Sequence, residues 1–258
     1  MKVRDIENAL ERVAPLCLQD DFDNAGLQVG LESDDVTAVL TCLDVTEDII
    51  AEAFAKGCSL IVSHHPLLFH PLKRVSDLSY QQRCVRTAIQ KGISIYSAHT
   101  NLDNAPGGVN YRIAEKIGLQ NLEWLEAKSG QNAGSGLIGT LREPVPTDEF
   151  LGMLKSVFGV EALRHSSTVH RQISKVALCG GAGSFLMGTA RGKGADCFIT
   201  GEAHYHDYFE NEGMLVATLG HYESEKFTTD LLAEIIAKAY PELRIEKTRI
   251  CTNPITVR

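Results

Sequence analysis

The chain has 258 residues, 44% of them hydrophobic, so it can bury one large core or two ordinary ones without staples. A formal net charge of −8 weighs against nucleic acid as the main ligand, though not against a local basic patch, and no apolar run approaches the ~20 residues that span a bilayer. Seven cysteines, none in a Cys-x-x-Cys pair, argue against a disulfide framework or a thiolate zinc knuckle, and an N-terminus without an apolar leader makes a soluble cytoplasmic protein the default.

In chain order, the apolar positions Val3, Ile6, Leu10, Val13 and Leu16 predict a helix, followed by the polar loop Asp20–Gly26. Val36–Leu43 reads as a strand and Thr46–Lys56 as a helix, with Thr46 or Asp44 near its N-cap and Gly57 as its left-handed stop. Cys58–Ser63 is a second strand, Gln81–Lys91 a second helix stopped by Gly92, and Ile93–Ser97 a third strand. Alternation of this kind predicts βαβ units and a mainly parallel sheet covered on both faces. Lys128–Gly136 is the only Gly/Ser/Asn-rich tract and marks a linker, giving an N-terminal half over 1–127 and a C-terminal half over 128–258, the two open to intertwining. Beyond it come a strand at Leu137–Leu141 and a helix at Asp148–Phe158 stopped by Gly159.

The second half echoes the first. Ser174–Cys179, a helical stretch to Lys193-Gly194, and Asp196–Thr200 follow the plan of Val36–Ser63, which sets Gly201-Glu202 opposite His64-His65. Met214–Leu219 then echoes Ile93–Ser97, with His221 near the counterpart of His99. A duplicated unit explains both matches.

Three strand ends carry ionisable clusters: His64-His65, held by Pro66; His99 with Asp103; and His221 with Glu225. Ligands of open parallel sheets gather at the carboxyl ends of strands. A helix starting at His221 and running on through Phe227, Leu231, Leu232, Ile235 and Ile236 puts Glu225 one turn along on the same face. Asn104–Gly108 predicts an irregular loop at Asp103, where a carboxylate can bridge two cations. Imidazoles and carboxylates are the donors of a divalent transition-metal site, and His64, His65, Asp103, His221 and Glu225 exceed what one tetrahedral ion uses. They point to two divalent metal ions per subunit, with zinc, iron, manganese, cobalt and nickel all compatible.

His99 fits either a partner of Asp103 or a general acid. His204 and His206 could be ligands, substrate contacts or a proton relay, and are assigned to the substrate side of the pocket; His70, His165 and His170 carry no partner pattern and read as surface or core residues. Gly180–Gly183 follows a strand and opens a helix, so it is either a phosphate-holding loop or a tight turn.

At Asp23-Asn24-Ala25-Gly26-Leu27-Gln28-Val29-Gly30, Ser63-His64-His65-Pro66-Leu67, His99-Thr100-Asn101-Leu102-Asp103, Gly201-Glu202-Ala203-His204 and Gly220–Glu225, the chain resembles the type 2 GTP cyclohydrolase I family, the Nif3-like proteins. The likeness runs from near the N-terminus to the last helix and matches the short form, without the inserted domain of longer members. It implies that His64, His65, Asp103, His221 and Glu225 are dinuclear metal ligands with Asp103 bridging. It further implies two related three-layer α/β halves with the metals in a cleft between them, and a hexameric ring. The family name implies hydrolytic opening of the GTP imidazole ring by a metal-bound hydroxide, with His99, Glu223 or His204 shuttling protons. Two alternatives stay open: a metal-stabilised oligomeric scaffold that binds a protein or nucleic acid, and a metal-dependent phosphoesterase.

Overall fold

The computed structural model describes residues 1–167, 171–209 and 211–256, so His170 lies outside the described residues. The first stretch holds α1 (Val3–Glu11), β1 (Gly26–Val29), β2 (Val39–Cys42), α2 (Glu47–Ala55), β3 (Leu60–Ser63), α3 (Tyr80–Lys91), β4 (Ser94–Ser97) and α4 (Thr100–Asp103). There follow α5 (Val109–Ile117), β5 (Gln120–Ala127), β6 (Gly134–Pro146), α6 (Thr147–Phe158), β7 (Arg164–His165) and β8 (Gln172–Cys179). The rest is α7 (Met187–Gly192), β9 (Cys197–Thr200), β10 (Leu215–Thr218), α8 (His221–Glu225), α9 (Thr228–Ala239) and β11 (Ile245–Lys247). None of the described helices is long and apolar enough to cross a membrane.

The chain divides into two compact units, one of Met1–Leu102 with Phe227–Pro254, the other built on Asp103–Lys226. In the first unit the sheet order is β1-β4-β3-β2-β11, parallel throughout except for β1, which pairs antiparallel with β4. Side chains alternate across it. Leu40, Cys42, Ile61 and Ile95 join Ile49, Ile50 and Ala53 of α2 and Cys84, Val85 and Ala88 of α3 in one core. The intervening Val39, Leu60, Val62 and Tyr96 are buried as well, on the side where α9 packs on β2, β3 and α1. The result is a three-layer α/β/α unit.

The second unit has the order β5-β6-β8-β9-β10-β7. Here β8, β9 and β10 are parallel, while β5–β6, β6–β8 and β7–β10 are antiparallel, so this sheet is mixed rather than mainly parallel. The reason is the Gly/Ser/Asn tract. It forms the tight turn of a hairpin, Ala127 pairing with Gly134, and a connection that short joins only antiparallel strands. The expected boundary at 127/128 therefore falls inside the second unit, not between domains. The echo is visible in the strands themselves: β2-β3-β4 and β8-β9-β10 are each three neighbouring parallel strands in chain order, and each third strand carries an antiparallel edge strand.

Local chemistry accounts for the remaining differences. The first helix ends at Glu11 rather than Leu16 because Pro15 disfavours the helical conformation at Ala14; a short 3-10 turn, Leu16–Leu18, follows. Thr46 caps α2 by accepting from the Ile49 N–H at 3.3 Å, and Gly92 ends α3 with φ +63°. Thr100–Asp103 is a helical turn and not irregular loop, since Asp23 accepts from the Thr100 N–H at 3.0 Å and caps it from afar. The helix begun at His221 stops at Glu225 before α9 starts, an interruption for which we find no local cause.

Ile61 is fully buried between the sheet and the α2–α3 pair. Replacing it with alanine should lower unfolding free energy by about 2–5 kcal/mol, read as a lower urea midpoint.

Candidate metal centre

In the first unit, His64 and His65 directly follow the last residue of β3, and His99 lies two residues past β4. Each imidazole is held at Nδ1. His64 Nδ1 lies 2.8 Å from the Ala98 carbonyl, His65 Nδ1 2.7 Å from Asp44 Oδ1, and His99 Nδ1 2.7 Å from Asp23 Oδ1. A carbonyl or carboxylate can only accept, so Nδ1 carries the proton and Nε2 is the basic nitrogen of each neutral ring. The donor atoms of the three rings lie within 4.8 Å of one another, with His64 fully buried. This cluster could hold a metal ion.

The orienting carboxylates are themselves fixed. Asp23 Oδ2 accepts from the Thr100 N–H at 3.0 Å and the Thr100 hydroxyl at 2.5 Å. Asp44 Oδ2 accepts from the Thr252 hydroxyl at 2.6 Å, so a residue far along the chain steadies the partner of His65. Burial works to raise the Asp23 carboxyl, but the hydrogen bond and charge of His99 and the Thr100 bonds outweigh it and bring it down to about 2. The same contest at Asp44, with His65 and Thr252 opposing burial, ends below the usual carboxylate range.

In the second unit, His221 and Glu225 share one face of α8, with Nε2 3.1 Å from Glu225 Oε2, while Nδ1 lies 3.0 Å from Glu202 Oε1. A neutral imidazole has one N–H. A ring flanked by two carboxylates is therefore satisfied as an imidazolium, or by a cation shared between Nε2 and Glu225. The 3.1 Å spacing suits either, since an N–H···O contact and two ligands of one tetrahedral zinc-sized ion, about 3.3 Å apart, both fall near it. Glu225 is buried, and the turn after β8 is shaped around it. Gly181 has φ +58°, and a Cβ there would collide with Glu225 Oε1.

That turn is not a phosphate loop. The N–H groups of Gly180, Gly181 and Gly183 donate to Asn110 Oδ1, Ser224 Oγ and Thr200 Oγ1, each at 3.0 Å, and so point into the protein. Asn110 also donates from Nδ2 to the Asp103 carbonyl at 3.1 Å, tying Asp103 to the same turn. Glu223 leans over Gly220, whose φ is +99°. His204 and His206 are exposed around the 3-10 turn Tyr205–Phe209: the His204 N–H donates to Asp207 Oδ2 at 2.7 Å, and the His206 ring packs on Tyr205 and Phe209. His165 is exposed on β7, and His70 is exposed with its ring against Phe69.

The family model Duf34/NIF3 (NGG1p interacting factor 3) matches residues 1–254. The chain belongs to the Duf34/NIF3 family. It is 36% identical over 229 residues to the "GTP cyclohydrolase 1 type 2 homolog" of Clostridium perfringens, covering 87% of each chain. It is also 32% identical over 259 residues to the protein of that name from Lactococcus lactis, covering 98% of each. A crystal structure of Staphylococcus aureus protein SA1388 superposes with a TM-score of 0.91 at 25% identity, over all of this chain and 99% of that one.

Within this Duf34/NIF3 chain, sequence reasoning picked out the imidazoles but missed the carboxylates that orient them. Asp23 was read as a loop residue and Asp44 as a helix-cap candidate, and Glu202 only as the counterpart of the histidine pair. The usable signal was an acidic residue at or near a strand or motif end, a weak cue until a partner is known.

Asp44→Asn should lower affinity for a divalent ion about 10–100-fold, and Thr252→Ala should lower it less, both read by competition with a chromophoric chelator. Asp23 has a second signature. Its folded pKa lies below the ordinary value of about 3.9, so the stability it adds is present above that value and is lost as pH falls toward 2. Acid unfolding of the metal-free protein should be less steep between pH 4 and 2 in Asp23→Asn than in the parent chain.

Proposed function

We propose that the protein is a metal-dependent hydrolase acting on a nucleotide, GTP cyclohydrolase-like, with His64, His65, Asp103, His221 and Glu225 together holding two divalent ions. The observation that carries this reading is that the imidazoles at these strand ends are each fixed through Nδ1 by a carbonyl or a carboxylate. Packing does not need such pairs, whereas metal-ligating histidines almost always have them. Mixed nitrogen and carboxylate donors without thiolate suit zinc, iron, manganese, cobalt or nickel. Two such ions when bound would lower the pKa of water and polarise the bond to be cleaved.

The chain's own residues do the rest. His99, with Nδ1 committed to Asp23, has Nε2 available to take and return a proton, and the buried carboxylate stabilises the charged ring. Glu223, on the same short helix as the proposed ligands His221 and Glu225, would pass a proton near them. His204 stays on the substrate side as an exposed contact for the polar end of the ligand.

The relatives named for GTP cyclohydrolase 1 type 2 support GTP as the first substrate to test. Buried thiols at Cys42, Cys58, Cys84 and Cys197 suit a reducing cytoplasm. We also take the protein to be a homo-oligomer, in keeping with the exposed rings of Phe185, Tyr205 and Phe209.

Elemental analysis should find two divalent ions per chain, falling in His65→Ala, and the metal-loaded protein should release formate from GTP. Two ions with no turnover of GTP under any divalent metal would remove the cyclohydrolase reading and leave the metal centre. Fewer than one ion per chain would remove both.

A further inference from the structure

Beside the histidine cluster of the first unit lie two phenylalanines that neither the core nor the donor set uses. Phe22 is 66% exposed and Phe69 38% exposed, although phenylalanine is among the residues most often buried. Their rings meet edge-on, centroids 6.2 Å apart at 61°. The Phe69 ring in turn stands 6.0 Å from the His99 ring at 86°.

These rings are not on slack loops. Asn24 donates from Nδ2 to the Leu68 carbonyl at 2.7 Å, and Gln28 Oε1 accepts from the Leu68 N–H at 3.2 Å, so the two loops are clamped together next to Phe69 and two residues from Phe22. Asp23, the neighbour of Phe22, is the carboxylate that holds His99. The same few residues therefore fix the imidazole and display the rings beside it.

We propose that Phe22 and Phe69 form a stacking ledge for a planar heteroaromatic ring, setting the edge of that ring toward His99. An edge-on pair leaves ring face exposed, and stacking on aromatic side chains accepts any flat π-system while polar groups nearby select its orientation. The patch is two rings wide, far below the roughly 800 Å² per partner of a stable protein interface, which favours a small flat ligand over a second protein. That the ring is a purine rests on the function proposed above; that the ledge stacks a flat ring does not.

Ligand-observed NMR titration of the metal-loaded protein with guanosine, ribose 5-phosphate and lumazine tests this. Guanosine should bind, with ribose 5-phosphate at least tenfold weaker. Phe22→Ala, Phe69→Ala and Phe69→Leu should each weaken guanosine about tenfold, since stacking and not mere apolarity is lost, while Phe69→Trp should retain binding. Metal content and circular dichroism of the variants should match the parent, because both rings are at the surface. Guanosine binding indifferent to all these changes, or binding of neither flat ligand, overturns the ledge. Binding of lumazine but not guanosine, dependent on Phe22 and Phe69, upholds the ledge and overturns the purine.

Discussion

In each unit the candidate metal donors depend on where an imidazole keeps its proton. A histidine ring can expose either nitrogen, and only a fixed acceptor at one of them decides which. At His64 the acceptor is the Ala98 carbonyl, at His65 Asp44, at His99 Asp23 and at His221 Glu202. Strand ends deliver the rings, but these contacts give them a direction. The outlying details serve the same end: the Thr100 turn caps itself on Asp23, Thr252 holds Asp44, and Gly181 yields space to Glu225.

The two units are built on one plan with different materials. Three parallel strands in chain order, an antiparallel strand on the third, and a histidine just beyond that third strand recur in both. After the middle strand they diverge. β3 is followed by His64 and His65, which present nitrogens, whereas β9 is followed by Gly201 and Glu202, and Glu202 instead steadies the histidine beyond β10. One position in a repeated fold thus supplies donors in one unit and support in the other.

Periodicity was enough to read most of the strands and helices of the first unit, because their apolar runs are continuous and their stops are glycines in the left-handed region. It was also enough to set His64, His65, His99 and His221 just past strand ends, and Glu225 one turn along the helix that His221 begins. What could not be read were pairings between distant residues. Asp23 lies 76 residues from His99, and Thr252 lies 208 from Asp44. Neither spacing leaves a local pattern. The hairpin of β5 and β6 was missed for a related reason: a flexible composition is shared by linkers and by tight turns, and only pairing across the turn tells them apart.

The first unit takes α9 and the edge strand β11 from residues that follow Asp103–Lys226, the main body of the second unit. A ribosome adding about 5–20 residues per second leaves its opening sheet without that edge, and His65 without the Thr252 brace, for on the order of ten seconds. The segment synthesised in between can complete its own sheet first. The sheet that emerges earliest is therefore the one that waits longest for its last strand.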